Sequence, residues 1–459
     1  MVKSIKVSNL FDRFNYTFRF SDEGIMIITG PNGYGKSTVL RMIDWFCNRN
    51  LKKLLDIPFK RFVIDCGDDK TVVIEKNKEI FKINSFPLNY LDDRKNINHS
   101  LMFELPGEED GPAISSYYYR NRRLNSDNLR FRIKEYISTL FRQLKINVDD
   151  YVLDFMITDT YFSKYLFYFL EFAKKNKSKS IDLIETIKTV AEVIKEIGTV
   201  SFIQEQRLLE KNNKSKNSEG VEYKKVIYEN SDNLKKELSS VMQRHSSISS
   251  ELDSSYIMRL FKADTNAPKA NDEIKDQLLV LKSKQEKLQK YGLSDSKGES
   301  EFLLNDDDKL ERFNVELSVY LEDANMKYGI FESIINKLEL YESIVNNKLT
   351  FKKMKLSSES GIEIIGDDEK KLSLDDLSSG EQEILVLFYK LIFQSDVNLL
   401  LIDEPEISLH ILWQRELLSD FKRIIQFKKN IQIIIATHSP QVIAQNWDLQ
   451  IDLGEQYNG

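Results

Sequence analysis

Cysteine is scarce in this 459-residue sequence, which contains only Cys47 and Cys66 and no Cys-x-x-Cys pair. That scarcity excludes a disulfide framework and a structural zinc site, and it predicts a reduced, cytoplasmic protein. No apolar run reaches the ~18 residues of a membrane-spanning helix. The first residues also lack the apolar segment of a secretion signal, so neither export nor membrane insertion is expected.

An excess of basic charge is also missing. The chain has 66 Lys and Arg against 72 Asp and Glu, which gives a formal net charge of −6. A DNA-binding surface along the whole chain is not expected at that charge, although a local basic patch stays compatible with it. The length predicts two or three compact units rather than one core.

Near its start the sequence contains a phosphate-binding loop of the form G-x-x-x-x-G-K-S. Its residues are Gly30, Pro31, Asn32, Gly33, Tyr34, Gly35, Lys36, Ser37 and Thr38. An apolar run precedes the loop and a helical pattern follows it, which is the strand–loop–helix context that this motif requires. Backbone N–H groups of such a loop bind phosphate oxygens. Lys36 is expected to reach the β- and γ-phosphates, and Ser37 is expected to ligate Mg²⁺.

Two apolar runs in the last quarter of the chain each end in polar residues. The run 399–402 is followed by Asp403 and Glu404, and the run 431–436 is followed by Thr437 and His438. Asp403 is predicted to hold Mg²⁺, directly or through water. Glu404 is predicted to polarise a water for attack on the γ-phosphate. For His438 a γ-phosphate contact is preferred over a structural role, because its strand resembles the strand before Asp403.

Two further polar stretches have both a functional and a structural interpretation. Ser378, Ser379, Gly380 and Glu381 precede an apolar helix, and they form either an anion site at the helix start or only a capping turn. Gln206 follows the strand-like run 198–203, where open α/β sheets place ligand contacts, but a surface glutamine fits equally well.

A helical insertion separates these motifs. After the polar linker 211–220, apolar residues recur at heptad-like spacing through residues 222–346, with breaks at 266–268 and 292–308. The predicted seam positions are Ile227, Leu234, Leu238, Val241, His245, Ile248, Leu252, Ile274, Leu278, Leu281, Gln285, Leu288, Leu310, Phe313, Leu317, Tyr320, Ala324, Ile334, Leu338, Tyr341 and Val345. We expect packed helices that form an arm.

A basic, aromatic stretch precedes the insertion. Tyr117, Tyr118 and Tyr119 stand beside Arg120 and further arginines up to Arg132. Stacking aromatics next to cations suit nucleic acid. A solvated face or an intersubunit surface is the more common role of such a stretch, and the acidic total charge favours it.

Four motifs follow one another along the chain: the P-loop, Ser-Ser-Gly-Glu, Leu-Ile-Asp-Glu-Pro and Ala-Thr-His-Ser-Pro. In this order they resemble the motifs of an ABC-type ATPase head of the SMC and OLD kind. The resemblance implies an α/β fold, a P-loop head with a mixed sheet and an inserted helical, coiled-coil arm. It implies head lobes at 1–210, with a helical subregion 113–197, and at 350–459, around an insertion at 222–346.

The same resemblance implies roles for individual residues, with ATP and Mg²⁺ as cofactors. Gln206 resembles the Q-loop glutamine, which also contacts the metal. Ser378 and Gly380 resemble the signature residues, which contact the γ-phosphate of a neighbouring subunit, and His438 resembles the switch histidine.

Among such heads, the chain most resembles the ATPase subunits of the PARIS anti-phage systems, with the Septu and retron-Septu ATPases second. The sequence stops about twenty residues after His438, so the TOPRIM nuclease of full OLD proteins is expected to be missing, and the arm has no zinc-hook cysteines. The resemblance implies a homodimer of heads within a larger homo-oligomer such as a hexamer. It also implies a separate nuclease effector, TOPRIM-type or HNH-type, and a phage-encoded trigger. A DNA-binding repair ATPase is the alternative.

Overall fold

The computed structural model describes most of the chain. The described residues are 1–68, 70–76, 81–84, 86–87, 134–135, 137–139, 142, 150–151, 153–154, 177–211, 223–262, 270–294, 307–394 and 396–457. The basic, aromatic stretch 117–132 lies outside them. The chain divides into a first unit of residues 1–205, 396–406 and 421–459 and a second unit of residues 206–395 and 407–420. Each is described by itself, and the predicted bounds of the lobes and the arm stay a prediction.

The first unit begins with an antiparallel sheet in the order β2-β1-β4-β5-β6-β7. Its strands are β1 (Ser4–Leu10), β2 (Phe14–Arg19), β4 (Arg61–Asp65), β5 (Thr71–Lys76), β6 (Phe81–Ile83) and β7 (Phe86–Pro87). On β1, Ile5 and Val7 are buried while Lys6 between them is exposed. This alternation, which the sequence displays, lets the sheet bury one face and leave the other in solvent.

A second sheet in the same unit is parallel, in the order β16-β3-β15-β14-β8. Its strands are β3 (Ile25–Thr29), β8 (Thr199–Ile203), β14 (Val397–Asp403), β15 (Gln432–Ala436) and β16 (Gln450–Asp452). All residues of β3 and β15 are buried. Strands that are covered on both faces need continuous apolar runs, which explains why these segments do not alternate.

Helices accompany the sheets of the first unit. They are α1 (Lys36–Cys47), α2 (Leu51–Asp56) and α3 (Lys177–Ile197). Helix α1 packs against β8, β14 and β15. The predicted α/β class is confirmed.

The register of the parallel sheet determines where the polar residues meet. Ala436 on β15 is paired with Ile28 on β3 and, on its other side, with Asp403 on β14. Because the three strands run in the same direction, their carboxyl ends meet at one edge of the sheet. The P-loop, Glu404 and His438 all follow at that edge.

The second unit is mainly helical. Its helices include α4 (Val226–Lys262), α5 (Asn271–Lys290), α6 (Asp307–Arg312), α7 (Asn314–Asn346) and α8 (Ser379–Phe393). Its strands are β9 (Leu209–Lys211), β10 (Tyr223–Lys225), β11 (Lys352–Ser357), β12 (Gly361–Gly366) and β13 (Lys371–Leu372). Helix α7 packs against α4, α5 and α8. Helix α9 (Ile411–Lys428) begins in this unit and ends in the first, where α10 (Pro440–Ile443) follows.

The predicted seam is confirmed along α5, where its five positions are buried. It is wrong at Phe313 and Tyr320, which are 42% and 43% exposed, and at Ile248, which is 37% exposed. Helix α7 starts only after Phe313, and its inward face follows Leu317, Leu321 and Ala324 in a cluster with α5. That 4-3 spacing rotates Tyr320 outward. Within the described ranges, no helix is both long enough and apolar enough to cross a membrane.

Candidate nucleotide-binding site

The loop between β3 and α1 has the backbone that its glycines predict. Gly33 and Gly35 have φ angles of 83° and 86°. A β-carbon on Gly35 would also lie 3.1 Å from Leu10 Cδ2, so both backbone and neighbour require glycine. Helix α1 starts without a side-chain cap and without an acidic residue in its first turn. Such a helix start offers its N–H groups and positive potential to a phosphate.

Lys36 is only 5% exposed and lies against the loop that precedes it. Its Nζ donates hydrogen bonds to the carbonyl oxygens of Gly30 and Pro31, at 2.9 and 3.3 Å. Burial lowers the pKa of Lys36, and the nearby carboxylates Glu404 and Asp403 oppose that change. Lys36 therefore lies close to the carboxylates at the edge of the parallel sheet.

Ser37 and Asp403 meet at the start of α1. The Ser37 hydroxyl donates to Asp403 Oδ1 at 3.0 Å, and Asp403 is 4% exposed. Burial raises the pKa of Asp403, while the Ser37 hydrogen bond and Arg41 act to lower it. Among the described residues, no group of three or more His, Cys, Asp or Glu can hold a metal. A hydroxyl and one carboxylate fit Mg²⁺, which usually keeps waters and substrate phosphates as its other ligands.

Glu404 lies directly beyond the end of β14. Its backbone has a φ of 46°, a left-handed conformation that is uncommon for a residue with a β-carbon. Its N–H donates to the Ala436 carbonyl at 2.8 Å, which ties the ends of β14 and β15 together. Burial raises the pKa of Glu404, and the charges of Glu406, Glu205 and Asp403 raise it further. A carboxylate of raised pKa is suited to accept a proton.

His438 lies between Lys36 and Glu404. Its Nδ1 is 3.3 Å from Lys36 Nζ, and its Nε2 is 3.4 Å from Glu404 Oε1. An ammonium has no acceptor, so Nδ1 accepts and the ring proton is on Nε2, directed at the carboxylate. Burial and Lys36 lower the pKa of His438, which favours this neutral form. The histidine thus links Lys36 of the P-loop to the candidate base.

Two carboxylates of this region were not among the predicted site residues. Glu406 accepts hydrogen bonds from residues 437–439, which surround His438. Asp452 at the end of β16 accepts from the Thr29 hydroxyl at 3.2 Å, immediately before the P-loop. The third acidic residue in Asp-Glu-Pro-Glu, opposite the donor-rich Thr-His-Ser, is the sequence signal that could have identified Glu406.

The predicted signature residues lie in the second unit. Ser378 is the N-cap of α8: its hydroxyl accepts from the Glu381 N–H at 3.3 Å, and Glu381 Oε2 accepts from the Ser378 N–H at 2.8 Å. Lys352 pairs with Glu381 at 2.9 Å. Gly380 is buried, and a β-carbon there would lie 2.5 Å from the Ser408 carbonyl oxygen. Ser378 therefore caps α8, and Ser378 and Ser379 are exposed at the helix start.

Gln206 also belongs to the second unit and is exposed. The next residue, Arg207, is 2% exposed and pairs with Glu383 of α8 at 2.5 Å. The structure therefore brings together Lys36, Ser37, Asp403, Glu404 and His438 in the first unit, whereas Gln206 and residues 378–381 are described within the second. The roles assigned to all these residues stay predictions.

The model of the AAA ATPase domain family matches residues 1–443 of the chain. The search of curated proteins found no match to the chain. The chain is similar to the Smc head domain with an extended coiled coil from Pyrococcus furiosus, solved bound to the C-terminal domain of ScpA. That match has 13% identity and a TM-score of 0.36, and it covers 96% of this chain and 91% of that one. It is also similar to the SMC head domain from Thermotoga maritima, with 11% identity, a TM-score of 0.33, and 96% and 90% coverage.

Proposed function

The chain belongs to the AAA ATPase domain family, and we propose that it binds ATP and hydrolyses it with Mg²⁺ at the edge of its parallel sheet. The observation that carries this proposal is the convergence of Lys36, Ser37, Asp403, Glu404 and His438 in the first unit. A cation, two hard oxygen ligands and a carboxylate of raised pKa are the groups that phosphoryl transfer to water needs.

In the proposed reaction the chain positions the phosphates and activates the water. Lys36 and the first N–H groups of α1 bind the β- and γ-phosphates, and Ser37 and Asp403 would hold Mg²⁺. When bound, the ion would neutralise part of the charge on the phosphate oxygens. Glu404 orients a water and accepts its proton as the water oxygen bonds to the γ-phosphorus and the bond from that phosphorus to the ADP oxygen breaks. His438 orients Glu404 and contacts the γ-phosphate.

Nucleotide binding and phosphate release test this proposal together. We expect Mg²⁺-dependent release of phosphate by the wild type and loss of ATP binding in Lys36→Ala. Lys370→Ala is the control, because the Lys370 side chain lies in the second unit and is 80% exposed. Equal ATP binding by Lys36→Ala and wild type would contradict the site, and no phosphate release by the nucleotide-bound wild type would contradict the reaction.

For assembly, we propose a homodimer of heads within a larger homo-oligomer such as a hexamer, in which each ATP contacts two chains. The exposed Ser378 and Ser379 at the start of α8 support this, because a helix start with small polar residues suits an anion. Glu381 lies in the first turn of the 15-residue helix α8, and Lys352 donates a hydrogen bond to its carboxylate. The negative charge of Glu381 near this helix start is therefore partly neutralised. A two-fold axis would create two equal shared sites.

For the biological role, we propose an ATPase sensor and scaffold that holds a separate nuclease effector and releases or activates it after a phage-encoded trigger. The motif resemblance to the PARIS ATPases, and second to the Septu ATPases, supports this role. The net charge of −6 favours a protein over DNA as the main ligand. The location we propose is the cytoplasm.

Co-purification with the product of a neighbouring nuclease gene tests the role. A stable complex is expected, together with weak DNA binding. The repair ATPase would instead be supported by free subunits at micromolar concentration together with tight DNA binding. That binding should weaken steeply with salt, because protein contacts to DNA phosphates release counterions. Loss of phage protection in Glu404→Gln would connect the role to turnover.

A further inference from the structure

Glu406 concentrates three hydrogen bonds on one oxygen atom. Its Oε1 accepts from the Thr437 hydroxyl at 2.5 Å, from the His438 N–H at 2.9 Å and from the Ser439 N–H at 3.2 Å. The residue is 8% exposed, and Thr437 is fully buried. Three donors that converge on one largely buried oxygen fix the Glu406 side chain relative to residues 437–439.

These bonds determine the direction of the chain after β15. Two of the three donors are backbone N–H groups of consecutive residues, so the bonds fix the turn itself as well as a side chain. Before this turn, the Glu404 N–H donates a 2.8 Å hydrogen bond to the Ala436 carbonyl oxygen. Residues 403–406 and 436–439 are therefore joined on both sides of the position from which the His438 ring extends.

The His438 ring has little freedom of placement if it is to contact both of its partners. Lys36 Nζ is 3.3 Å from one ring nitrogen, and Glu404 Oε1 is 3.4 Å from the other. A rotation of the 437–439 turn would break at least one of these contacts. Misplacement of a reacting group by about 1 Å can cost about 10²-fold in rate.

We propose that Glu406 is a positioning residue that acts through the backbone of residues 437–439 to hold His438 between Lys36 and Glu404. This inference rests on the proposed ATP hydrolysis. Glu406 itself need not touch the nucleotide. What matters is the reach of its acceptor oxygen rather than its negative charge.

Two substitutions separate the effect of the length of the Glu406 side chain from the effect of its charge. Glu406→Gln keeps a carbonyl oxygen at the same distance from the backbone and removes the charge, whereas Glu406→Asp keeps the charge and shortens the side chain. We expect Glu406→Gln to retain kcat within about threefold and Glu406→Asp to lose about 10²-fold in kcat, the scale of a misplaced group. KM for ATP should stay within about twofold in both, because Lys36 and Ser37 still bind the phosphates.

The opposite ranking, with Gln inactive and Asp active, would overturn the inference in favour of an electrostatic role. Equal loss in both variants, or a loss confined to KM, would overturn it as well. A role in folding alone is separated by the thermal midpoint, since it would lower kcat and the midpoint together in both variants.

A readout without turnover distinguishes this inference from the proposed function. The chain has four histidines, so a ¹⁵N-histidine-labelled sample gives at most four backbone amide signals. The His438 signal is identified by its disappearance in His438→Gln. We expect Glu406→Asp to move that signal, Glu406→Gln to move it less, and neither to move the His245 signal. An unchanged His438 signal in Glu406→Asp overturns the positioning role, whereas a moved signal in a protein without ATPase activity overturns only the proposed function.

Discussion

The Ser37 hydroxyl donates a 3.0 Å hydrogen bond to Asp403 Oδ1, across a separation of 366 residues. Ser37 lies in the first turn of α1, and Asp403 is the last residue of β14. The contact joins the phosphate loop to the strand that carries the candidate base. Both oxygens are ligands of the kind that Mg²⁺ prefers.

Asp403→Asn should raise the Mg²⁺ concentration that ATP turnover requires. Loss of one charged oxygen beside the ion is expected to lower the apparent Mg²⁺ affinity by about 10- to 100-fold, the range for groups that support a bound metal. A Mg²⁺ titration of phosphate release measures it. Asp448→Asn, at an exposed position, is the control. An unchanged Mg²⁺ midpoint in Asp403→Asn would remove Asp403 from the proposed metal site.

Glu404→Gln should bind ATP normally and turn it over slowly. Removal of the general base is expected to lower kcat by about 10²-fold or more, because the amide cannot accept the proton of the water. Nucleotide affinity and kcat are measured separately, with the exposed Glu455→Gln as the control. Wild-type turnover by Glu404→Gln would show that another group is the base.

The pH dependence of turnover should report the environment of Glu404. Its pKa is raised by burial and by neighbouring carboxylates, including Glu205, so it takes up a proton at a higher pH than an ordinary glutamate. A base is inactive when protonated, so kcat should fall as the pH drops through this raised pKa. Glu205→Gln removes one negative charge and should move the acidic limb of the kcat profile to lower pH. A movement to higher pH would contradict the assignment.

Shared ATP sites can be tested by mixing two inactive variants, Lys36→Ala and a signature variant. Gly380 is unsuitable for substitution, because its β-carbon would collide with the Ser408 carbonyl oxygen within the same unit. Ser379→Asp is preferable, since Ser379 is exposed in the first turn of α8, where an acidic residue is compatible with the helix. Subunit exchange should restore up to about half of the wild-type activity per dimer, because one of two symmetric sites is intact. Verified mixed dimers without activity, or an active monomer, would argue against sharing.

The Arg207–Glu383 pair should be important for the stability of the second unit. Their side chains are 1% and 7% exposed and lie 2.5 Å apart. Arg207→Met leaves the Glu383 carboxylate buried without this partner, which typically costs about 3–5 kcal/mol. The double variant Arg207→Met/Glu383→Leu should recover much of that loss, because no charge is then left buried. The denaturant midpoints of the three proteins measure this, and a double variant less stable than Arg207→Met would contradict the account.

The sequence was sufficient to predict the P-loop, its flanking strand and helix, and the end of the strand at Asp403 and Glu404. These features consist of contiguous motif residues and of continuous apolar runs, which buried strands require. Glu406 was not predicted, since its partners lie 31 to 33 residues further along the chain and depend on how two loops turn. Phe313 and Tyr320 were assigned to the wrong helix face because apolar spacing does not reveal where a helix starts. The Arg207–Glu383 pair depends on packing between distant segments, which no local pattern displays.

The order of the parallel sheet has a consequence for how this protein is made. Strand β3, with residues 25–29, has β15 and β16 as its neighbours, and those strands comprise residues 432–436 and 450–452. At ~5–20 residues per second, roughly 20 to 80 s of translation separate the P-loop strand from its partners. During that time β3 lacks both of its neighbours in the sheet. The candidate site includes Lys36 and His438, so it can be assembled only after the chain has been synthesised as far as residue 438.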